Sequence, residues 1–451
     1  MECGGNKQNR SVTRRHFLKT SGLVAGVAGL APTLSAPFVS TALAETKTLK
    51  ILQWSHFIPE YDKWIDGFAK DWGKKNGVAV SVDHIPHLEL PARAAAEVAA
   101  GAGHDLFGFN GSGGPHLYAK HAYDMTSLIQ ELEAKHGKVL PMGRQIAWNE
   151  DSKTWSAFPD YFIDFPGLYR KDLWDEIGMT PDTWEDIRVG GAKLKQKGYP
   201  VGIALSHCVD PNNSYRSMLW SHGASDCDET GKRVMLDSKE TLEVVKFVRA
   251  LYKEAMDPEV LSWDDAGNNR FLASGRGSWI HNPISAYRSI QKSNPQLADK
   301  IQVWKTPAGT VRRLAAGAPN SYIIWKFARN KETAVEFLKH YADNYAEAFK
   351  ASTGYDHPLF ANLVPKPMPI LSNDPSSHPP DKLKVLETAD EWCVVFGYPG
   401  PSTPAADEVA DNFIIPDMMA NAATDKMTPE DAVKWGTKEI KLIYSKWATR
   451  S

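Results

Sequence analysis

Short apolar runs alternate with amphipathic segments in the first third of the chain. Three apolar runs predict strands over residues 48–54, 78–82 and 105–109. Two amphipathic segments between them predict helices over residues 59–76 and 92–100. In the first of these, Trp64, Phe68 and Trp72 recur at every fourth position, and Gly77 follows the last turn. This alternation is typical of a mainly parallel sheet with helices on both faces, in which ligands bind at the carboxyl ends of strands.

The pattern continues through a second α/β region that begins near residue 158. Thr183 is predicted to cap the start of a helix, and a longer helix is predicted from Ser238 to about residue 255. Residues 301–307 predict a strand that leaves this region. From Asn330 onwards the pattern is mostly helical, with proline-rich breaks.

The first 44 residues have the features of an export signal. Arg14 and Arg15 are followed by Phe-Leu-Lys, then by a Gly/Ala-rich apolar stretch, and Ala42-Leu43-Ala44 forms a small-residue cleavage site. We interpret residues 1–44 as a twin-arginine signal peptide cleaved near Ala44, which predicts a periplasmic protein. A membrane anchor is the alternative, but the stretch is only weakly apolar. No later segment offers the roughly 18–20 continuous apolar residues of a spanning helix.

Composition narrows the class of protein. The chain has 451 residues, 42% hydrophobic and 24% charged, with 52 Lys+Arg against 54 Asp+Glu. This length predicts two or three domains at about 100–200 residues each. A nucleic-acid-binding protein would normally show a basic surplus, so we expect no nucleic-acid partner.

Three cysteines remain after the predicted signal, namely Cys208, Cys227 and Cys393. An oxidising compartment permits disulfides, and a Cys208–Cys227 bond would leave Cys393 unpaired. Three buried free thiols are the alternative. The spacing forms no C-x-x-C metal or redox motif.

Several blocks of the chain, in a fixed order, resemble the extracellular solute-binding proteins of ABC importers, in the maltose-binding-like group (family 1). The blocks are residues 49–54 with Trp64 and Phe68, residues 99–106, residues 168–173 with Gly178 and residues 183–186, residues 271–280, and residues 331–338. The resemblance implies an α/β fold of the two-lobed periplasmic binding protein type (type II). Each lobe is then a mainly parallel sheet flanked by helices, with the ligand cleft between the lobes. The implied parts are a signal peptide over 1–44, an N-terminal lobe over 45–158 plus 308–357, and a C-terminal lobe over 159–307 plus 358–451.

The side chains that stand where strand ends should meet this cleft are the candidates for binding the solute. Aromatic rings cover the C–H face of a sugar, whereas Asp, Asn and Arg side chains and backbone groups hydrogen-bond its hydroxyls. The candidates are Trp54, His56, Asn110 and Ser112 in the first lobe, Asp160 and Tyr161 at the first crossing, with Asp164 as a further candidate, Trp220, Trp263, Asp264, Asn268, Trp279, Asn282 and Tyr287 in the second lobe, and Asn320 and Tyr355 on the return. Several family members carry Gly-Pro-Trp under the sugar. Here the matching run is Asn282-Pro283-Ile284, which argues against maltose-like stacking.

The predicted function is capture of a sugar or related polyol and its delivery to the permease subunits of an ABC transporter, by a monomer without a cofactor. One alternative keeps the fold but binds a polyamine or other small cation between Asp and Trp side chains. A secreted carbohydrate-active enzyme would use a carboxylate pair, Asp264–Asp265 or Asp160–Asp164. The chain has no G-x-S-x-G motif for a serine nucleophile.

Sequence spacing raises two further possibilities, a metal site and an anion site. His84 and His87 lie three apart, but Pro86 interrupts the helical geometry and no second ligand pair follows, so no metal site is predicted. The glycine-rich run at 111–114 is compatible with an anion cradle of backbone N–H groups, although a turn needs the same residues.

Overall fold

The computed structural model describes residues 47–111 and 113–449. The predicted signal peptide and Ser112 therefore lie outside the described residues. Within the described ranges, no helix has both the length and the apolar character needed to cross a membrane.

Fourteen strands are described in these ranges. They are β1 (Lys47–Trp54), β2 (Val78–Ile85), β3 (Leu106–Asn110), β4 (Trp148–Asn149), β5 (Thr154–Trp155), β6 (Phe158–Ile163), β7 (Gly167–Arg170), β8 (Val201–Gly202), β9 (Trp279–His281), β10 (Ile301–Trp304), β11 (Ala315–Ala316), β12 (Ala318–Ile324), β13 (His357–Pro358) and β14 (Cys393–Val394).

The α-helices alternate with these strands before residue 330 and dominate after it. They are α1 (Pro59–Asn76), α2 (Leu90–Ala100), α3 (Gly114–Leu117), α4 (Thr126–His136), α5 (Pro141–Ala147), α6 (Lys171–Glu176), α7 (Trp184–Gln196), α8 (Val209–Ser221), α9 (Lys239–Ala255), α10 (Gly267–Ala273), α11 (Ser285–Ser293), α12 (Pro295–Lys300), α13 (Lys331–Asp343), α14 (Tyr345–Ala351), α15 (Pro369–Ser372), α16 (Pro404–Asp411), α17 (Ile414–Ala423) and α18 (Pro429–Ala448). Short 3-10 helices cover His87–Glu89, Ala119–His121, Pro258–Ser262 and Lys384–Glu391.

Two sheets organise the chain, and we call each sheet with its helices a lobe. The first lobe contains a six-stranded sheet in the order β13-β6-β12-β3-β1-β2, and the second contains a four-stranded sheet in the order β10-β7-β9-β8. Strands β2, β1 and β3 run parallel, as the sequence predicts. In the second lobe, helix α17 packs on α8 and α9, α18 packs on α9, and α16 packs on α17 and α18.

The expectation that each sheet is mainly parallel is wrong, because both sheets are mixed. Strand β12 runs antiparallel to β3 and β6, and β13 runs antiparallel to β6. In the second sheet, β7 is antiparallel to β10 and β9, and only β8 and β9 are parallel. The chain leaves the first sheet along β6 and returns along β12. A strand that returns from the other lobe enters the sheet in the opposite direction, which makes the pair antiparallel.

Local signals place the helix ends where the sequence predicts them. Gly77 follows α1 in the left-handed conformation with a φ of 67°, which glycine adopts without steric cost. Thr183 accepts a hydrogen bond from the backbone of Asp186, whose carboxylate accepts one from the Thr183 backbone in return. Ser238 caps α9 through its side chain.

Of the two alternatives left open for the cysteines, the structure has the second, since all three described cysteines are buried free thiols and Cys208 is not bonded to Cys227. Cys208 directly precedes α8 and Cys227 follows its far end. Thirteen helical residues rise by about 20 Å, whereas the Cα atoms of a disulfide lie about 4–7 Å apart. The Cys227 thiol instead donates a hydrogen bond to the carbonyl of Gly397.

Candidate ligand-binding cleft

A cavity of about 30 Å³ lies between the two lobes, and we call it the cleft cavity. Its lining residues are Trp54, Phe57, His87, Asn110, Ile163, Phe165, Val209, Asp210, Asp265, Pro283, Ala318 and Tyr355. Trp54 and Asn110 end the parallel strands β1 and β3, where ligands of open α/β sheets bind. Asp210 lies in the first turn of α8, so the opposite wall belongs to the second lobe.

Trp54 forms the aromatic part of the first wall, and its orientation is fixed from behind. Its indole N–H donates to the hydroxyl of Tyr161 over 2.7 Å. The ring of His56 lies 4.6 Å from the Trp54 ring, and that of Phe57 lies 5.6 Å away, edge-on. His56 is anchored in turn, since its Nε2 lies 3.1 Å from the Asp356 carboxylate. These contacts hold the Trp54 ring in one orientation at the cavity wall.

Two carboxyl groups form the polar part of the opposite wall. Asp210 Oδ2 accepts a hydrogen bond of 2.6 Å from Asn268. Burial, together with the like charge of Asp265, raises the pKa of Asp210 to about 8. Asp265 Oδ1 accepts from the backbone N–H of Val209 over 2.6 Å. Its Oδ2 lies 3.3 Å from His87 Nε2, a contact that joins the second lobe to the first.

A buried polar cluster lies behind the first wall. Asp160 is fully buried, and its carboxylate accepts from the Asn320 side chain over 3.1 Å. Burial, with the charge of Asp356 as the next cause, raises the pKa of Asp160 well above its ordinary value. Asp160 and Asn320 are not among the described residues that line the cavity, so in this arrangement they support the wall from beneath.

The predicted site residues fall into three groups. Trp54, Asn110 and Tyr355 line the cleft cavity. Six more contact lining residues or the cluster behind them, namely His56, Asp160, Tyr161, Asn268, Asn282 and Asn320. Five lie away from the cavity in the second lobe, namely Trp220, Trp263, Asp264, Trp279 and Tyr287. Ser112 is outside the described residues, and Asp164 is buried near His357.

The residues that lie away from the cavity have structural contacts of their own. Trp279 packs edge-on against Trp184 at 5.9 Å in the core of the second lobe. Trp220 contacts the ring of Tyr398, and Trp263 contacts that of Phe271. Tyr287 donates to the Ser377 hydroxyl, and the largely exposed Asp264 pairs with Arg270. These side chains therefore take part in ring packing, a hydrogen bond and a surface ion pair.

Sequence reasoning missed several lining residues. Phe57 follows the end of the first predicted strand and could have been found by the same rule that selects Trp54. The sequence indicates His87 only as a possible metal ligand and Asp265 only as part of a possible catalytic pair. No pattern points to Asp210, because no helix or strand is predicted around it. Pro283 stands out only as part of a run that departs from the family pattern.

A second contact joins the lobes. The backbone N–H of Gly113 donates to the carboxylate of Asp407, in the first turn of α16. A Cβ atom added at Gly113 would lie 2.6 Å from the carboxylate carbon, so this approach requires a residue without a side chain. Burial, with the charge of Asp411 as the next cause, raises the pKa of Asp407 to about 7.

Comparison with known proteins identifies the family. The family model of bacterial extracellular solute-binding proteins matches residues 64–376, and the chain belongs to this family. This confirms the predicted recognition and makes the chain a binding protein of an extracellular class. No curated protein gave a significant match.

Solved structures confirm the predicted two-lobed α/β fold. An ABC transporter solute-binding protein from Thermotoga lettingae, bound with alpha-D-tagatose, has 19% identity and a TM-score of 0.72, over 88% of this chain and 100% of that one. A sugar transporter from Arthrobacter chlorophenolicus with bound laminaribiose has 17% identity and a TM-score of 0.73, over 87% and 98%. A solute-binding protein from Agrobacterium radiobacter in complex with ribitol has 18% identity and a TM-score of 0.72, over 88% and 98%.

Proposed function

We propose that this protein captures a sugar or a related polyol between its lobes and delivers it to the permease subunits of an ABC transporter. The observation that carries the proposal is the cleft cavity, which both lobes line and which combines ring faces with hydrogen-bonding groups. The ligands bound in the three similar solved structures, two sugars and a polyol, support the same class of solute.

The proposed mechanism is closure of the lobes on the solute. Ligand sites usually measure about 300–1,000 Å³, far more than the 30 Å³ found here, so a solute enters when the lobes separate. A solute that contacts both walls favours the closed state through those added contacts. The ion pair between Lys292 on α11 and Glu60 on α1, 2.6 Å long, is a further contact between the two lobes.

The residue ranges of the two lobes are also proposed. We propose lobes over 45–158 plus 308–357 and over 159–307 plus 358–451, with one refinement. Strand β6 pairs with β12 and β13 inside the six-stranded sheet, which favours placing the first crossing after Ile163. Residues between Ile163 and Gly167 then carry the chain into the second lobe.

We also propose export to the periplasm with cleavage near Ala44, action as a monomer, and binding without catalysis. The twin-arginine motif and the extracellular family support export. Of the carboxylate pairs considered for an enzyme, Asp160 is fully buried and Asp264 is largely exposed in an ion pair. In each of these pairs at least one carboxyl group is not among the described residues that line the cleft cavity, which supports a binding role.

Thermal melting of residues 45–451 against sugars, polyols, polyamines, amino acids and metal ions tests the proposal. A solute at 100 times its Kd adds about 2.7 kcal/mol to the stability of the folded state, which gives a visible shift in Tm. A shift with one sugar or polyol class supports the proposal. A shift only with polyamines or metal ions would replace the solute, and shifts with none of the compounds would contradict the proposed function.

A further inference from the structure

One wall of the cleft cavity carries acidic side chains and the other carries aromatic ones. Among the described residues that line it, Asp210 and Asp265 are acidic, His87 is the one basic side chain, and none is Lys or Arg. We propose that the solute carries a protonated amine, as an amino sugar or an aminated polyol does. This inference rests on the proposed function and names the substrate class of the same site.

Asp210 is the group that meets the amine. It is 8% exposed, it lines the cavity, and its Oδ2 accepts the hydrogen bond from Asn268. Within the described ranges, no hydrogen bond reaches its Oδ1. This oxygen keeps some accessible surface in the cavity, and an ammonium N–H at hydrogen-bond distance would give it a charge-assisted bond.

Asp265 strengthens the preference for a cation but is itself already partnered. One of its oxygens accepts from the Val209 backbone, and the other lies against His87. Its charge therefore acts on a solute mainly through the field in the cavity, where the low dielectric strengthens electrostatic interactions. A sugar acid would bring a further carboxylate against two carboxyl groups with no Arg or Lys to offset it.

The aromatic wall suits the same solute. Trp54, Phe57 and Tyr355 line the cavity opposite the two carboxyl groups. The face of an aromatic ring attracts a cation within about 6 Å, and it also covers the apolar face of a sugar ring. A carbohydrate ring with an amino group can therefore use both walls at once, whereas a neutral sugar leaves Asp210 Oδ1 with a weaker partner.

Proton release on binding distinguishes a protonated amine from a neutral solute. Burial and Asp265 hold the pKa of Asp210 at about 8, so the carboxyl is mostly protonated at pH 7. The other groups that face it are Asn268, the Tyr355 hydroxyl and the Cys208 thiol. None of these is a cation at pH 7. An ammonium beside Asp210 lowers its pKa, so binding releases up to one proton per solute, and a neutral sugar releases none.

Titration calorimetry on residues 45–451 at pH 7 tests the inference, in two buffers with different ionisation enthalpies. The probes are matched sets on one scaffold: glucose, glucosamine and glucuronate, the galactose and mannose sets, and sorbitol with its 1-amino analogue. Putrescine is the amine without a carbohydrate. On the best-binding scaffold we expect the amine to bind about tenfold to a hundredfold more tightly than the neutral compound, with proton release.

Each outcome decides between the two proposals. Equal or tighter binding of a neutral compound, or of a sugar acid, overturns the amine inference and leaves the proposed function standing. Binding of putrescine alone supports the amine and overturns the sugar or polyol. Binding by no probe in the set overturns both.

Variants assign the effect to Asp210. Asp210→Asn should reduce the preference for the amine to less than about threefold and abolish proton release. Asp175→Asn is the matched control, because Asp175 is an exposed acid on α6 of the same lobe. Asp265→Asn should weaken the preference for the amine over the neutral compound without abolishing it. This variant provides an independent measurement if circular dichroism shows that Asp210→Asn folds poorly. An unchanged preference in both cleft variants would overturn the inference.

Discussion

The burial of Asp210 has a measurable consequence for the dependence of stability on pH. In the folded protein its pKa is about 8, whereas the ordinary value for an unfolded chain is 3.8. Between these two values the folded state holds a proton at Asp210 that the unfolded state has lost. Stability from this group is therefore fully present below about pH 4 and is lost as the pH rises towards 8. Replacing Asp210 with Asn removes this dependence and keeps the shape of the side chain.

The size of the effect follows from one proton. A difference of one bound proton changes the free energy of unfolding by about 1.4 kcal/mol per pH unit. Asp407 and Asp411 have pKa values raised to about 7 and about 6, so the wild-type protein loses further stability over the same range. That loss is common to wild type and variant, so it cancels in the difference between them. We expect Asp210→Asn to gain about 3 kcal/mol relative to wild type between pH 5 and pH 7.

Urea unfolding at pH 5, 6 and 7 measures this difference. Circular dichroism and tryptophan fluorescence should give coincident transitions, since the comparison requires two-state behaviour. The same series on Asp175→Asn is the control. The Asp175 carboxylate is exposed and pairs with Lys171, so its difference from wild type should stay nearly flat over this range.

A constant difference between Asp210→Asn and wild type would refute the reasoning. It would mean that Asp210 ionises with an ordinary pKa in the protein free of solute. The folded state that unfolds in the experiment would then not contain the desolvated cleft around Asp210. A difference that falls as the pH rises would contradict the sign of the argument directly.

Three further predictions follow from single contacts. Asn110→Ala should change the free energy of unfolding by less than about 1 kcal/mol, because its buried side-chain nitrogen has no hydrogen-bond partner among the described residues, yet calorimetry should show at least about fivefold weaker solute binding. Gly113→Ala should hinder closure, since the added Cβ meets Asp407; small-angle scattering with solute should then report a larger radius of gyration than for the control Gly67→Ala, where a Cβ meets nothing within 4 Å. For residues 45–451, a thiol reagent should titrate three cysteines in denaturant, and a reducing agent should leave the Tm unchanged; a count of one would restore the disulfide.

Local elements with strong patterns could be predicted from the sequence. The helix over 59–76 agrees with α1 at both ends, because the apolar spacing and Gly77 act within a few residues. The Thr183 cap is likewise a local hydrogen-bond arrangement. The pairing of β12 between β3 and β6 could not be read in the same way. It joins segments more than 150 residues apart, and no local pattern encodes the direction of a returning strand.

The predicted site residues show the same difference between local patterns and tertiary packing. Strand ends selected Trp54 and Asn110, because the carboxyl ends of parallel strands meet at one edge of a sheet. In the second lobe the same reasoning selected Trp220 and Trp279, which pack in the core. A tryptophan serves equally well in a core and under a sugar, so its residue type does not say which way it faces.

The sequence by itself determined the family, the alternation of strands and helices, and the aromatic and acidic inventory of the chain. The tertiary structure decided which of these side chains face one another. The cleft cavity joins residues from Trp54 to Tyr355, and one of its two acidic residues, Asp210, comes from the start of a helix that no sequence pattern predicted. The raised pKa of Asp210 arises from burial and from the nearby charge of Asp265. Desolvation depends on what surrounds a group in space, and for this group the surroundings exist only once the chain has folded.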